Sequence, residues 1–579
     1  MSEAVYNISQ WRRHFVLVAF ALGVLIMVWR AIDLQVVNNE KYQSKGERVH
    51  MTVVAMPAHR GMIVDRNEEP VAISTPVHAI CATPQQLLVN YERLPELASV
   101  LGRQYDEFVV EISKRADRGF MYLKRRGSQE LVEKISNMEV PGVYLQREYK
   151  RYYPAGEVTS HVVGFTDVDD RGQEGLELAF DNWLQGTNGS KRVMLNRKRS
   201  ILKEDELIQE ARNGGKLVLS IDKRIQYLAY RELKAAVEAH KAKSGSMVVL
   251  DALSGEILAM VNQPAFNPND RSSISDETLR NRVMIDPIEP GSIVKPFVVA
   301  AALDTGKYEA GSLVNTTPGQ MYVGRSRVQD IRNYGEIDIA TVIKKSSNVG
   351  VAKLALDMEK EYLWQTYTNL GFGAPSGAEF PGEQTGFVYD FQRWARIDQA
   401  TIAFGYGVST NLLQLARSYT VFANQGRLIP VTMLRAEGAP AGEQIFNTST
   451  VKQVLNMMEG AVSDEGTAPR AKVPGYRVAG KTGTVKKADE ENGGYTEDKY
   501  LSLFAGVLPA SSPRLIAVVM IDEPGGEEYY GGAVAAPVFS KVMAGAMRLM
   551  DVKPDDLNPG VVDLNKMAHR ESAVQAGAL

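Results

Sequence analysis

Glu289-Pro290-Gly291-Ser292-Ile293-Val294-Lys295-Pro296 is the stretch from which the rest of the chain can be read. Proline is tolerated in a helix only within its first turn, so Pro296 places a helix start close to Ser292. The Pro-Gly step before the serine predicts a turn that sets its hydroxyl at that start. Backbone N–H groups are unpaired there and the helix dipole favours negative charge. Lys295 then lies one turn on, on the same face and within reach of the hydroxyl. A lysine that is desolvated, or close to other cations, has a depressed pKa and can act as a base. S-x-x-K alone is a weak signal, and its weight comes from what surrounds it.

Two downstream segments supply that weight. Lys344-Lys345-Ser346-Ser347-Asn348 offers a hydroxyl and an amide amid two lysines. Lys481-Thr482-Gly483-Thr484 falls on a predicted strand, where Gly483 leaves room for a substrate backbone to approach the edge. Lys481, Thr482 and Thr484 supply charge and hydroxyls for a carboxylate. S-x-x-K, S-x-N and K-T-G in this order form a signature of penicillin-interacting serine enzymes. A competing match is deceptive: Gly475 to Thr482 fits the phosphate-loop pattern letter for letter. That loop needs a strand before it and a helix after it, whereas Pro474 precedes this one and a strand and polar run follow. The histidines (His14, His50, His59, His78, His161, His240 and His569) all lie outside residues 246–550. That region therefore contains neither a Ser-His-Asp triad of its own nor a His-ligated metal.

Outward from the serine, residues 224–243 place Ile225, Leu228, Leu233 and Val237 near helical spacing. Residues 246–250 and 256–260 read as a hairpin. Residues 500–507 and 514–521 read as two more strands, with Pro509 and Pro513 in the turn between them. Helical patterns fill the middle, 414–424 among them, and 538–550 closes the region. Strands at both ends of a helical insert predict an α+β fold with one antiparallel sheet. Upstream, residues 41–219 mix short alternating stretches (53–55, 61–65) with helical patches such as 129–137. They read as an elongated α+β spacer with no catalytic cluster.

Residues 15–29 are uncharged and mostly apolar, and the run continues past Arg30, which can snorkel, to Val37. Val28-Trp29-Arg30 lacks the small residues of a cleavage site, so the segment reads as an uncleaved anchor. Arg12 and Arg13 before it leave the N-terminus cytoplasmic and the body outside. The expected organisation is a cytoplasmic N-terminus (1–13), a transmembrane anchor (14–37), a non-catalytic pedestal (38–221), a catalytic domain (222–550) and a flexible tail (551–579). A length of 579 residues suits several domains. Lys plus Arg number 66 against 69 Asp plus Glu, which gives no electrostatic case for nucleic acid. Hydrophobic residues at 44% and charged residues at 23% exclude global disorder and a multi-span membrane protein. Cys81 is the sole cysteine, which excludes an intramolecular disulfide and a thiolate metal cluster. No cofactor or metal is expected.

With these residues in view, the chain resembles the class B penicillin-binding proteins, and among them the division-specific members, over nearly its whole length. Arg60-Gly61 with Asp65-Arg66-Asn67 carries the resemblance in the spacer. So do Arg151 to Pro154 with Gly156, His161, Gly164 and Phe165, and Gly172 with Gly175 and Glu177. Phe404-Gly405-Tyr406-Gly407 and Ala536 to Lys541 carry it downstream. The resemblance implies a dimerisation-like pedestal and a transpeptidase domain of the penicillin-binding and serine β-lactamase type, an antiparallel sheet flanked by helices. It implies a monofunctional D,D-transpeptidase that cross-links peptidoglycan stem peptides at the division septum and is inhibited by β-lactams. Ser292 would be the nucleophile, Lys295 its base and Ser346 the proton relay. Asn348 would hold the donor amide, and Lys481, Thr482, Gly483, Thr484 and Ser347 the rest of the substrate. Backbone N–H groups of Ser292 and Thr484 would form the oxyanion hole. Implied partners are a septal membrane glycosyltransferase and other divisome proteins, with the chain held in the bacterial inner membrane by its N-terminal helix. Division members usually carry Ser at Thr482, Thr at Ile293 and Gly at Glu68, and these departures leave a paralogue with altered lactam affinity or conditional use as an alternative to the division enzyme itself. A D,D-carboxypeptidase, a β-lactamase and a non-catalytic scaffold or lactam sensor are the alternative readings.

Overall fold

The computed structural model describes residues 10–39, 41, 51–195, 201–489 and 493–556. Most of the expected 551–579 tail, and residues 1–9 of the expected cytoplasmic segment, lie outside the described residues. The chain forms two compact units that interleave in sequence. The first comprises Met1–Arg60, Thr75–Lys150 and Gln185–Gly214, and the second Gly61–Ser74, Arg151–Leu184 and Gly215–Leu579.

The first unit begins with α1 (Gln10–Ile32), which continues as a π-helical turn over Asp33–Val37. Its best window has a mean hydropathy of 2.5 and none of it is buried. At about 1.5 Å per residue the helix is long enough for a hydrocarbon layer of about 30 Å. Beyond it, Met51–Met56, Gly189–Leu195 and Ile201–Gln209 form a three-stranded antiparallel sheet in that order. Separately, helices Pro84–Val89, Leu94–Leu101, Tyr105–Ser113 and Gln129–Met138 bury Leu87, Leu94, Leu97, Phe108, Ile112 and Ile135 around Ile80 and Leu123. Ser128 caps the last of these helices by accepting from Leu131 N at 3.3 Å. Burial, reinforced by the Glu148 carboxylate, pushes the Cys81 thiol up to about 12, so it stays an unreactive core group.

The second unit is built on a five-stranded antiparallel sheet: β1 (Ser244–Asp251), β2 (Ile257–Gln263), β3 (Ala479–Ala488), β4 (Tyr495–Leu508) and β5 (Leu515–Asp522), in the order β2-β1-β5-β4-β3. Both faces are covered. Met247, Val249, Ala517 and Val519 face one core, which includes residues of α2 (Lys223–Ala239) and α5 (Gly531–Leu549). Val248, Leu250, Ile516 and Val518 face the other, with α3 (Lys295–Asp304). Double burial is why these strands read as continuous apolar runs rather than alternating ones. The predicted antiparallel sheet is thus present. Two helices differ from expectation. The 414–424 helix is interrupted at Tyr419, giving Leu412–Ser418 and Thr420–Ala423. The closing helix starts at Gly531 and runs through Pro537, because Val534, Ala535, Val538 and Phe539 are all buried around the proline.

The spacer motifs that belong to this unit serve its architecture. Arg151 Nε donates to Glu177 Oε1 at 2.6 Å in a fully enclosed pair. Asp65 accepts from the backbone of Asn67 and Glu69 and from Lys223 N at the start of α2.

Candidate active site

Ser292 lies in a 3-10 turn, Gly291–Val294, that leads directly into α3, with Pro296 in the helix's first turn. The turn is held from outside. Gly291 N donates to Gly405 O at 3.2 Å, and Tyr419 Oη donates to Ile293 O at 2.8 Å. Gly405 has φ +83°, and a Cβ there would sit 2.2 Å from Gly291 O, so only glycine lets the two loops approach.

Lys295, the first residue of α3, is fully buried. Its Nζ donates to Ser346 O (2.5 Å), Ser346 Oγ (3.1 Å) and Asn348 Oδ1 (2.7 Å). Lys481, also fully buried and on β3, donates from Nζ to Ser346 Oγ at 2.9 Å and to Thr482 O at 2.9 Å. Two lysine side-chain nitrogens therefore converge on one hydroxyl, and Ser346 adopts φ +57° to present it. Burial above all, and then the charge of Lys481, holds Lys295 well below the ordinary lysine range, while Asp330 pulls the other way. Burial alone brings Lys481 down to about 7. Among the described residues, Lys295 makes no hydrogen bond to Ser292; its donors all point at the Ser346–Asn348 segment.

The K-T-G segment forms the edge strand of the sheet, so one side of its backbone is free of strand partners. Gly483 packs against the nucleophile turn, where an added Cβ would lie 2.9 Å from Ile293 Cγ1. Thr482 Oγ1 donates to Thr467 Oγ1 at 2.9 Å, and Thr484 Oγ1 accepts from Gly531 N at 3.1 Å. The structure thus gathers Ser292, Lys295, Ser346, Asn348, Lys481, Thr482, Gly483 and Thr484 into one region. Ser347 departs from its expected place among the substrate-binding residues. It is fully buried and caps α4 (Asn348–Leu356), accepting from Gly350 N at 2.9 Å and donating to Asp330 Oδ2 at 2.6 Å.

Asp330 is the residue that sequence reasoning missed. Besides Ser347 it accepts from Asn348 N at 2.5 Å and Val349 N at 3.0 Å, an anion at a helix start that fixes the S-x-N segment. Asn348 Nδ2 donates to the neighbouring Gln329 O at 3.0 Å. Glu289 is a second such residue. Its Oε1 accepts from Gly407 N (2.8 Å) and Tyr495 Oη (3.1 Å), joining the approach to Ser292 to the 404–407 loop and to β4. Burial pushes its carboxyl above the ordinary range. Neither residue has a local signal, since their partners are distant in sequence.

Comparison with known proteins gives a consistent picture. The family model for the penicillin-binding protein transpeptidase domain matches residues 245–544, and that for the penicillin-binding protein dimerisation domain matches residues 55–219. The chain is 37% identical over 560 residues to a probable peptidoglycan D,D-transpeptidase, PbpC, of Pseudomonas aeruginosa, covering 96% of this chain and 99% of the relative. It is 39% identical over 559 residues to peptidoglycan D,D-transpeptidase FtsI of Escherichia coli, covering 96% and 94%. A solved transpeptidase domain of Burkholderia pseudomallei penicillin-binding protein 3 is 41% identical with a TM-score of 0.54, covering 58% of this chain and 97% of that one.

Proposed function

The chain belongs to the class B penicillin-binding proteins and is a peptidoglycan D,D-transpeptidase; from that premise we propose that α1 holds it in the inner membrane and that its site works as follows. Ser292 attacks the carbonyl of the penultimate D-alanine of a donor stem peptide. Lys295, its proton affinity lowered by burial and by the neighbouring Lys481 charge, takes the hydroxyl proton. Ser346, shared by the two lysines, relays a proton to the leaving amine, and terminal D-alanine departs. Asn348 holds the donor amide, while Lys481, Thr482 and Thr484 hold its carboxylate along the β3 edge, where Gly483 lets the peptide approach. Backbone N–H groups of Ser292 and Thr484 bind the oxyanion, a contribution of about 10²–10³ in rate per donor. The acyl group then passes to an acceptor amine. A β-lactam enters the first half of this sequence and stops at the acyl-enzyme.

The observation that carries this reading is the convergence of the Lys295 and Lys481 side-chain nitrogens on Ser346 Oγ, at 3.1 and 2.9 Å, beside the Ser292 turn. The proposal also places the catalytic unit in the periplasm, in keeping with Arg12 and Arg13 before the anchor. It further assigns the enzyme to the division septum beside a membrane glycosyltransferase, in keeping with its likeness to FtsI. Product analysis tests the reaction. A donor ending in D-Ala-D-Ala, incubated with an amine acceptor, should yield the cross-linked amide with the wild type and nothing with Ser292→Ala. Hydrolysed donor alone would mean a carboxypeptidase.

A further inference from the structure

The hairpin formed by Gln320–Val323 and Ser326–Gln329, with the loop after it, carries more positive charge than its surroundings use. We propose that Arg327, flanked by Arg325 and Arg332, binds a carboxylate of the acceptor stem peptide close to the amine that attacks the acyl-enzyme. This rests on the donor-site reading given above.

One end of the hairpin is tied into the site. Gln329 O accepts from Asn348 Nδ2, and Asp330 is engaged by Ser347, Asn348 and Val349. From there the strand leads away from Asn348 with alternating faces. Val328 and Val323 are buried, while Arg327 and Gln329 share the exposed face with Tyr322, the cross-strand partner of Arg327. Arg327 is two residues from Gln329, about 7 Å along a strand, a distance its side chain can span. Arg325 sits at the hairpin tip, and the Arg332 guanidinium lies 5.4 Å from the centroid of the Tyr334 ring.

Among the described residues none of the three arginines forms an ion pair; Arg327 has only a long contact to Gln320 Oε1, at 3.5 Å. The carboxylate between them, Asp330, is turned inward and occupied. Exposed guanidinium groups that hold no carboxylate, on the segment that joins Asn348 through Gln329, suit a planar carboxylate, which arginine grips at two points. Tyr322 and Ile331, 64% and 81% exposed, add apolar surface for the peptide to lie on.

In the transfer step the acceptor nitrogen bonds to the acyl carbon, the bond from that carbon to Ser292 Oγ breaks, and a proton from the amine passes to Ser292 Oγ. The arginines touch none of these atoms. They are positioning residues for the acceptor, so they affect transfer and leave acylation alone.

The test uses full-length chain in detergent, a thioester donor, and D-alanine or D-alaninamide as acceptor, for wild type and an R325Q/R327Q/R332Q variant. Benzylpenicillin acylation should agree between the two within about twofold. The wild type should prefer D-alanine over the amide by about tenfold or more, the variant should lose that preference, and added salt should erode it in the wild type. Absence of a preference in the wild type overturns the proposal, as does a variant that retains it. So does an equal loss with both acceptors, which would mean a role in shape or in membrane contact. Absence of penicillin acylation in the wild type would bring down the donor-site reading itself, whereas intact acylation without an acceptor preference brings down only this inference.

Discussion

Lys295 and Lys481 are both enclosed and both within hydrogen-bond reach of Ser346 Oγ, and the pH behaviour of the enzyme follows from that arrangement. Lys295→Arg keeps a positive charge that cannot be surrendered near neutral pH, so acylation by benzylpenicillin should slow by about 10²–10⁴. Stopped-flow acylation rates check this, and an unchanged rate would remove Lys295 as the base. Asp330 raises the Lys295 pKa through its charge. Asp330→Asn should therefore move the rising limb of the acylation pH profile to lower pH, besides lowering its plateau through the loosened S-x-N segment. A purely structural role would lower the plateau without moving the limb. Lys481 titrates at about 7 when folded and at about 10.4 when unfolded. Between those values the unfolded chain binds more protons, so this residue makes stability rise with pH across that window and contributes no slope below it. The difference in unfolding free energy between wild type and Lys481→Met, followed from pH 6 to 10, reads this directly; a difference that falls with pH would contradict it.

The elements around these residues were legible to unequal degrees. Residues 246–250 and 514–521 announced themselves because strands covered on both faces keep few polar positions. The S-x-x-K helix was legible because a first turn accommodates Pro296 at least cost. Ser347 was misread because a serine before Asn348 serves equally as a ligand or as a helix cap, and only its burial decides between them. Asp330 and Glu289 were illegible for a different reason: their meaning lies in donors from other elements, and no local pattern encodes those. The early start of α5 was hidden by Pro537, which in isolation reads as a helix beginning. Loop packing at this scale predicts that Gly405→Ala will impair acylation more than stability. Its Cβ would meet Gly291 O at 2.2 Å and push the nucleophile turn away from β3. Strain of this kind costs about 1–3 kcal/mol, enough to misplace Ser292 while the sheet stays folded. Acylation rate and urea midpoint, measured side by side, check the split, and equal losses in both would contradict it.

On the scale of the whole chain, α1 is long and apolar enough to cross a membrane, and the proposal makes it the anchor of the enzyme. The Ser292 cluster and the five-stranded sheet belong entirely to the second compact unit, whereas α1 belongs to the first. Deleting residues 1–37 should therefore release the protein from membranes without changing benzylpenicillin acylation by more than about twofold. Loss of acylation on truncation would give the anchor a part in forming the site. The departures at Thr482 and Ile293 alter neither nucleophile nor base, since Thr482 still presents its hydroxyl, hydrogen-bonded to Thr467 at 2.9 Å. A long-lived ester on Ser292 underlies every step proposed for this enzyme, and the most direct measurement of it is intact mass spectrometry of the full-length protein after benzylpenicillin, beside Ser292→Ala. A persistent gain equal to the mass of the drug is expected in the wild type and none in the variant. No gain in the wild type, or an equal gain in the variant, would contradict it.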